Sequence, residues 1–153
     1  MDISYTYALV TNALSNARNI ESLIRQKQLD LQLQDIHRQY QPFGSNRINA
    51  TLTRQQMLHE IERLIIDRDS TISQAIDAAI VIVTAELANN VKPLFSVGSM
   101  ALGNIISFID AYRLKVTISF PTMLKISQLS SQLMLKGVEY FDLKNKVDRF
   151  RSY

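Results

Sequence analysis

Apolar residues recur at Leu58, Ile61, Ile65, Ile72, Ile76, Ala79, Val83 and Leu87. Their spacing of three, four or seven places them on one face of a helix. Thr53 can cap that helix, with Gln56 three residues on completing a capping box. Asn89-Asn90 and then Pro93 end it, so the pattern predicts a helix over 53–89. At ~1.5 Å per residue such a helix is ~55 Å long, more than a compact domain of this size spans. The expectation is an elongated bundle, unless Asp67-Arg68-Asp69-Ser70 splits the helix in two.

Toward the N-terminus, Val10, Ala13, Ala17, Ile20 and Ile24 share one face, and Leu29, Leu33, Ile36 and Tyr40 lie on a shifted one, which predicts a helix over 8–40. Gln41-Pro42-Phe43-Gly44-Ser45-Asn46 is rich in turn formers, and a loop is expected over 41–52. A third helix, over 93–113, is apolar around most of its circumference through Leu102, Ile105, Ile106 and Ile109. Its small residues Ser99, Gly103, Ser107 and Ala111 stand four apart and would let another helix backbone approach closely. A fourth helix is expected over 121–150. There Pro121 suits a first turn, and Ile126, Leu129, Leu133, Tyr140, Leu143, Val147 and Phe150 keep heptad spacing, broken only at Lys136.

Two short stretches, 3–9 and 114–120, alternate apolar with small or polar residues and are rich in β-formers. They can pair as a minor two-strand ribbon or serve as helix ends and linkers. The fold class is therefore all-α: an elongated bundle of about four helices in a single domain over 1–153, with room for that ribbon.

Composition agrees with this pattern. The chain has 153 residues, 46% hydrophobic and 20% charged, with only four glycines and three prolines. That is ordinary for a folded domain and short of the turn formers that an all-β protein needs. Cysteine is absent, which removes disulfides, thiolate metal sites and cysteine nucleophiles. The start Met1-Asp2-Ile3-Ser4-Tyr5 has no secretory-signal pattern, so synthesis in the cytosol is expected, with the final location open.

Chemistry is sparse. The two histidines, His37 and His59, lack the helical spacing of di-iron or zinc ligands. Glu60, Glu62, Asp67 and Asp69 are interleaved with Arg63 and Arg68, as on a solvent-facing, ion-paired helix surface. Ser96-Val97-Gly98-Ser99 only loosely resembles a nucleophile elbow, and neither a phosphate loop nor a dinucleotide fingerprint occurs. No catalytic residue, metal ligand, cofactor or small-molecule substrate is assigned.

The net charge of +3 is uneven. From Pro93 onward eight Lys/Arg stand against four Asp/Glu, and before it nine stand against ten. Lys144, Lys146, Arg149 and Arg151, beside Tyr140, Phe141, Phe150 and Tyr153, form a basic patch that could meet nucleic acid. Glu139, Asp142 and Asp148 dilute it, and packing accounts for Tyr140 and Phe150. Residues 93–109 carry no charge, and with Ala75–Ala88 they could form a membrane-inserting hairpin, at the cost of burying Asp77 and Glu86 in lipid.

The reading that follows is a non-enzymatic structural or assembly protein that self-associates through amphipathic helices. It would be a homo-oligomer or a subunit of a virion, tail, secretion or scaffold assembly. The membrane hairpin and the nucleic-acid binder stand as alternatives. Candidate interface residues are Ser99, Gly103 and Ser107 with Leu129, Leu133, Tyr140, Leu143 and Val147.

Overall fold

The computed structural model describes residues 3–40, 46–89 and 96–113, and beyond them 120, 121, 124, 125, 127, 128 and 131. The described residues are almost wholly helical, and the all-α class holds. The three helices are α1 (Ile3–Tyr40), α2 (Asn46–Ala88) and α3 (Val97–Tyr112). The four-helix count and residues 114–119 lie outside the described residues, as does most of the expected helix over 121–150.

α1 and α2 run for 38 and 43 residues without a glycine or proline in either. That absence allows such lengths, because those two residues are the ones that interrupt a helix interior. It also explains two differences from the sequence expectation. The stretch 3–9, a candidate strand, forms the first turns of α1. Thr6 and Val10 are buried there while Tyr5 and Leu9 face solvent, a four-residue spacing that packing enforces over local β preference. The stretch 46–52, expected in a loop, already belongs to α2, so Thr53 and Gln56 are exposed helix-interior residues rather than a cap. Asp67-Arg68-Asp69-Ser70 does not split α2.

The chain divides into two compact units, one of Met1–Ser15 with Thr71–Tyr153 and the other of Asn16–Ser70. In the first unit, Val10, Ala13 and Leu14 of α1, Ile72, Ile76, Ala79 and Val83 of α2, and Leu102, Ile105 and Ile109 of α3 make a dry core. A hydrogen bond from Asn104 Nδ2 to the Tyr7 hydroxyl, 3.2 Å, ties α3 to the start of α1. α3 closes at Arg113, which takes a left-handed φ of 48° and donates its N–H to the Asp110 carbonyl.

The second unit is an antiparallel helix pair. Glu21 meets Arg68, Lys27 meets Glu60, Asp35 meets Arg54 and Arg38 meets Thr51, so numbers rise along α1 as they fall along α2. The five residues between the helices leave an antiparallel neighbour as the natural arrangement.

Burial separates two isoleucines of α2. Ile76→Ala should lower unfolding free energy by ~2–5 kcal/mol, because the side chain is fully buried. Ile66→Ala, at a side chain 65% exposed, should cost less than ~0.5 kcal/mol. Urea titration of both variants checks this, and equal losses would contradict the burial pattern.

Candidate interaction surface

Each helix leaves a different face uncovered, and those faces define the candidate surface. In the Asn16–Ser70 unit the row of α1 turned toward α2 is Ile24, Lys27, Leu31, Asp35 and Arg38, each buried or half-buried. Three of these five are charged, and all three bond across to α2. Lys27 Nζ donates to Glu60 Oε2 at 2.6 Å, Arg54 Nε donates to Asp35 Oδ1 at 3.1 Å, and Arg38 donates to the Thr51 hydroxyl.

At the other end of this unit the contact is drier. Glu21 is buried, and its Oε2 accepts from Arg68 Nη1 at 2.7 Å, while its Oε1 accepts from Arg25 Nε at 3.4 Å. Arg68 Nε also lies 3.5 Å from Asp69 Oδ1. Arg68, expected on a solvent-facing charged surface, is instead a mostly buried interhelical anchor with a side chain 12% exposed. Its guanidinium reaches Glu21 because the two positions face each other across the antiparallel pair. His59 and Glu62, 3.8 Å apart and both exposed, do follow the surface expectation.

With its inner row so polar, α1 carries its apolar residues elsewhere. Leu29, Leu33 and Ile36 are about half exposed, at 56%, 49% and 51%. At ~100° per residue they fall within an arc of about 60°, directed away from the row that meets α2. Among the described residues of this unit, Ala17, Ile24 and Ile61 are the buried apolar side chains, against six large ones exposed: Leu23, Leu29, Leu33, Ile36, Leu52 and Ile66. Leu52 and Ile66 stand singly on the outer side of α2, so the contiguous stripe belongs to α1. The sequence does place Leu29, Leu33 and Ile36 on a shifted face. Only the structure reveals that α2 packs on the other one.

The second notable arrangement lies where α2 meets α3. Ser96 caps α3, its hydroxyl accepting from Ser99 N–H at 3.0 Å and lying 2.8 Å from the Ser99 hydroxyl. Next to it the Gly98 N–H donates to both carboxylate oxygens of Glu86, at 3.2 and 3.0 Å. Glu86 is 3% exposed, so a buried carboxylate is set against the positive end of a helix. Only glycine permits this. A Cβ at position 98 would stand 2.6 Å from both Glu86 Oε2 and Val83 Cγ2. Ser96-Val97-Gly98-Ser99 is thus a helix cap whose hydroxyls are occupied with one another and with backbone, and not a nucleophile elbow. The sequence signal for it was a capping serine followed two residues later by glycine.

Along the small-residue stripe of α3, exposure rises toward the C-terminal end. Ser99 is buried, Gly103 and Ser107 are half-buried and Ala111 is exposed. Among the described residues nothing lies within 4 Å of a Cβ built on Gly103. Among the described residues, close helix approach on α3 falls at Gly98, where the Glu86 carboxylate and Val83 come in.

No family model, curated protein or solved structure matches the chain.

The remaining sequence candidates lie outside the described residues: the seam Leu129, Leu133, Tyr140, Leu143 and Val147, and the basic patch Lys144, Lys146, Arg149 and Arg151. Among the described residues there is no group of three or more His, Asp or Glu side chains that could hold a metal ion. One helix, within Thr51–Ala88, contains an 18-residue window of mean hydropathy 1.5, of which 44% is buried.

Two glycines should respond oppositely to alanine. Gly103→Ala, with no described atom within 4 Å of the added Cβ, gains up to ~1 kcal/mol from helix propensity. Gly98→Ala should lose ~1–3 kcal/mol because Glu86 and Val83 must move. Thermal midpoints that shift the same way in both variants would contradict the Glu86 contact. In the helix pair, Arg68→Ala should cost about 2–3 kcal/mol by stranding buried Glu21, with Arg25 still near enough to compensate in part. Lys27→Ala, at a largely exposed pair, should cost under ~1 kcal/mol in the same urea titration.

Proposed function

We propose that this is a non-enzymatic structural or assembly protein that associates with copies of itself through helix faces, as a subunit of a larger assembly. The observation that carries this reading is the stripe Leu29, Leu33 and Ile36, exposed on α1 while charged residues occupy the row packed on α2. Contiguous apolar surface of this kind typically marks an interface, whereas isolated exposed apolar residues do not.

A second reading, insertion into a membrane, draws on the apolar window in α2. Against it, Glu86 is already paired with the Gly98 N–H in the interior, and insertion would break that bond while carrying the carboxylate into lipid.

Light scattering on the purified chain from about 1 μM to about 1 mM, at two salt concentrations and with and without lipid vesicles, separates these readings. Self-assembly predicts a mass that rises with concentration toward a discrete oligomer and ignores vesicles. A monomer at every concentration that binds vesicles would replace it with the membrane reading.

A further inference from the structure

We infer that the exposed stripe of α1 takes a second copy of this chain, laid parallel and in register as a short two-stranded coiled coil over residues 22–37. The inference rests on the self-association reading and adds the surface, the direction and the register.

The stripe fixes a heptad frame. Gln26 and Leu33 fall at a positions and Ser22, Leu29 and Ile36 at d positions, with Arg25 and Gln32 at g and Leu23, Asp30 and His37 at e. All ten of these side chains are exposed. α2 occupies the opposite side of α1, so the helix can hold both neighbours at once.

Direction follows from the charges that flank the stripe. In a parallel pair each g residue faces the e residue five positions later on the other helix. Arg25 then meets Asp30 of the second copy, and two-fold symmetry repeats the contact, giving two opposite-charge pairs. In an antiparallel pair g faces g and e faces e. Arg25 would then meet arginine or glutamine and never an acid. Gln26 points the same way. At an a position of a parallel, in-register dimer it faces its own equivalent, where two amides can bond to each other, as a single polar a residue does when it sets register. Antiparallel packing would set that amide against a d residue, Ser22, Leu29 or Ile36, none of which offers a matching amide. Forming the pair draws Arg25, 60% exposed, away from its 3.4 Å contact with Glu21, which keeps Arg68 at 2.7 Å.

Because the chain has no cysteine, single-cysteine variants of the full chain read this geometry directly. Under mild oxidation Gln26→Cys should form a disulfide-linked dimer about tenfold faster than His59→Cys, an exposed control on α2, because the interface raises the effective concentration of the two thiols. Leu29→Glu with Leu33→Glu should give a folded monomer by circular dichroism and light scattering. If Gln26→Cys links no faster than the control while the wild type is an oligomer, the parallel register is wrong and the self-association reading survives. An unchanged oligomer in the double glutamate variant overturns the assignment of the surface. A wild type that is monomeric at every concentration overturns both readings, and a lower melting temperature of the double variant in that case would assign the stripe to another part of the same chain.

Discussion

One face of a helix can be covered by one neighbour, and within residues 16–40 of α1 the apolar face and the covered face part company. Ala17, Glu21 and Ile24 lie against α2, with Ala17 and Ile24 apolar and Glu21 neutralised by Arg68. Further along, the covered row becomes Lys27, Leu31, Asp35 and Arg38, and the apolar residues move to the far side. The antiparallel pair is kept in register there by charged side chains meeting across it, an interaction of small stabilising value where solvent reaches it. What such pairs do supply is alignment. Each fixes one turn of α1 against one turn of α2, and wrong registers would set charges against apolar residues.

The two units consequently differ in what holds them. The unit of Met1–Ser15 with Thr71–Tyr153 buries Ile72, Ile76, Leu102, Ile105 and Ile109 completely or nearly so, and adds the Glu86 carboxylate on the Gly98 N–H. Such a buried acid is tolerable because a helix N-terminus meets it; the same group without that N–H would be strongly unfavourable. Among its described residues the Asn16–Ser70 unit has little comparable burial, and the exposed apolar area on α1 is where further stabilisation is available to it.

Much of this architecture is legible from spacing. The regular recurrence of Leu58, Ile61, Ile65, Ile72, Ile76, Ala79 and Val83 identifies the inner face of α2, and the absence of glycine and proline foretells long helices. The start of α2 at Asn46 is not legible. A capping box at Thr53 is a local signal, and pairing with α1 through Arg38 and Thr51 carries the helix past it. The strand-like alternation of 3–9 fails for a related reason, since a helical spacing from Thr6 to Val10 serves the core. Sequence alone also cannot say which of two apolar faces on α1 is covered, because that depends on a neighbouring helix whose contacts lie 13 to 47 residues away. The Gly98 contact is hidden in the same manner, whereas the stripe through Gly103 looks like a crossing and meets no described atom within 4 Å.

On the proposed reading the Asn16–Ser70 helix pair completes its burial on another copy, whereas Ile72, Ile76 and Val83 are buried within the chain itself. Amide hydrogen exchange at low and high protein concentration tests this most directly, because it reads local opening segment by segment. Protection over residues 25–38 should rise with concentration while protection over 72–83 stays constant. Protection over 25–38 that is as strong in dilute solution as in concentrated solution would contradict it.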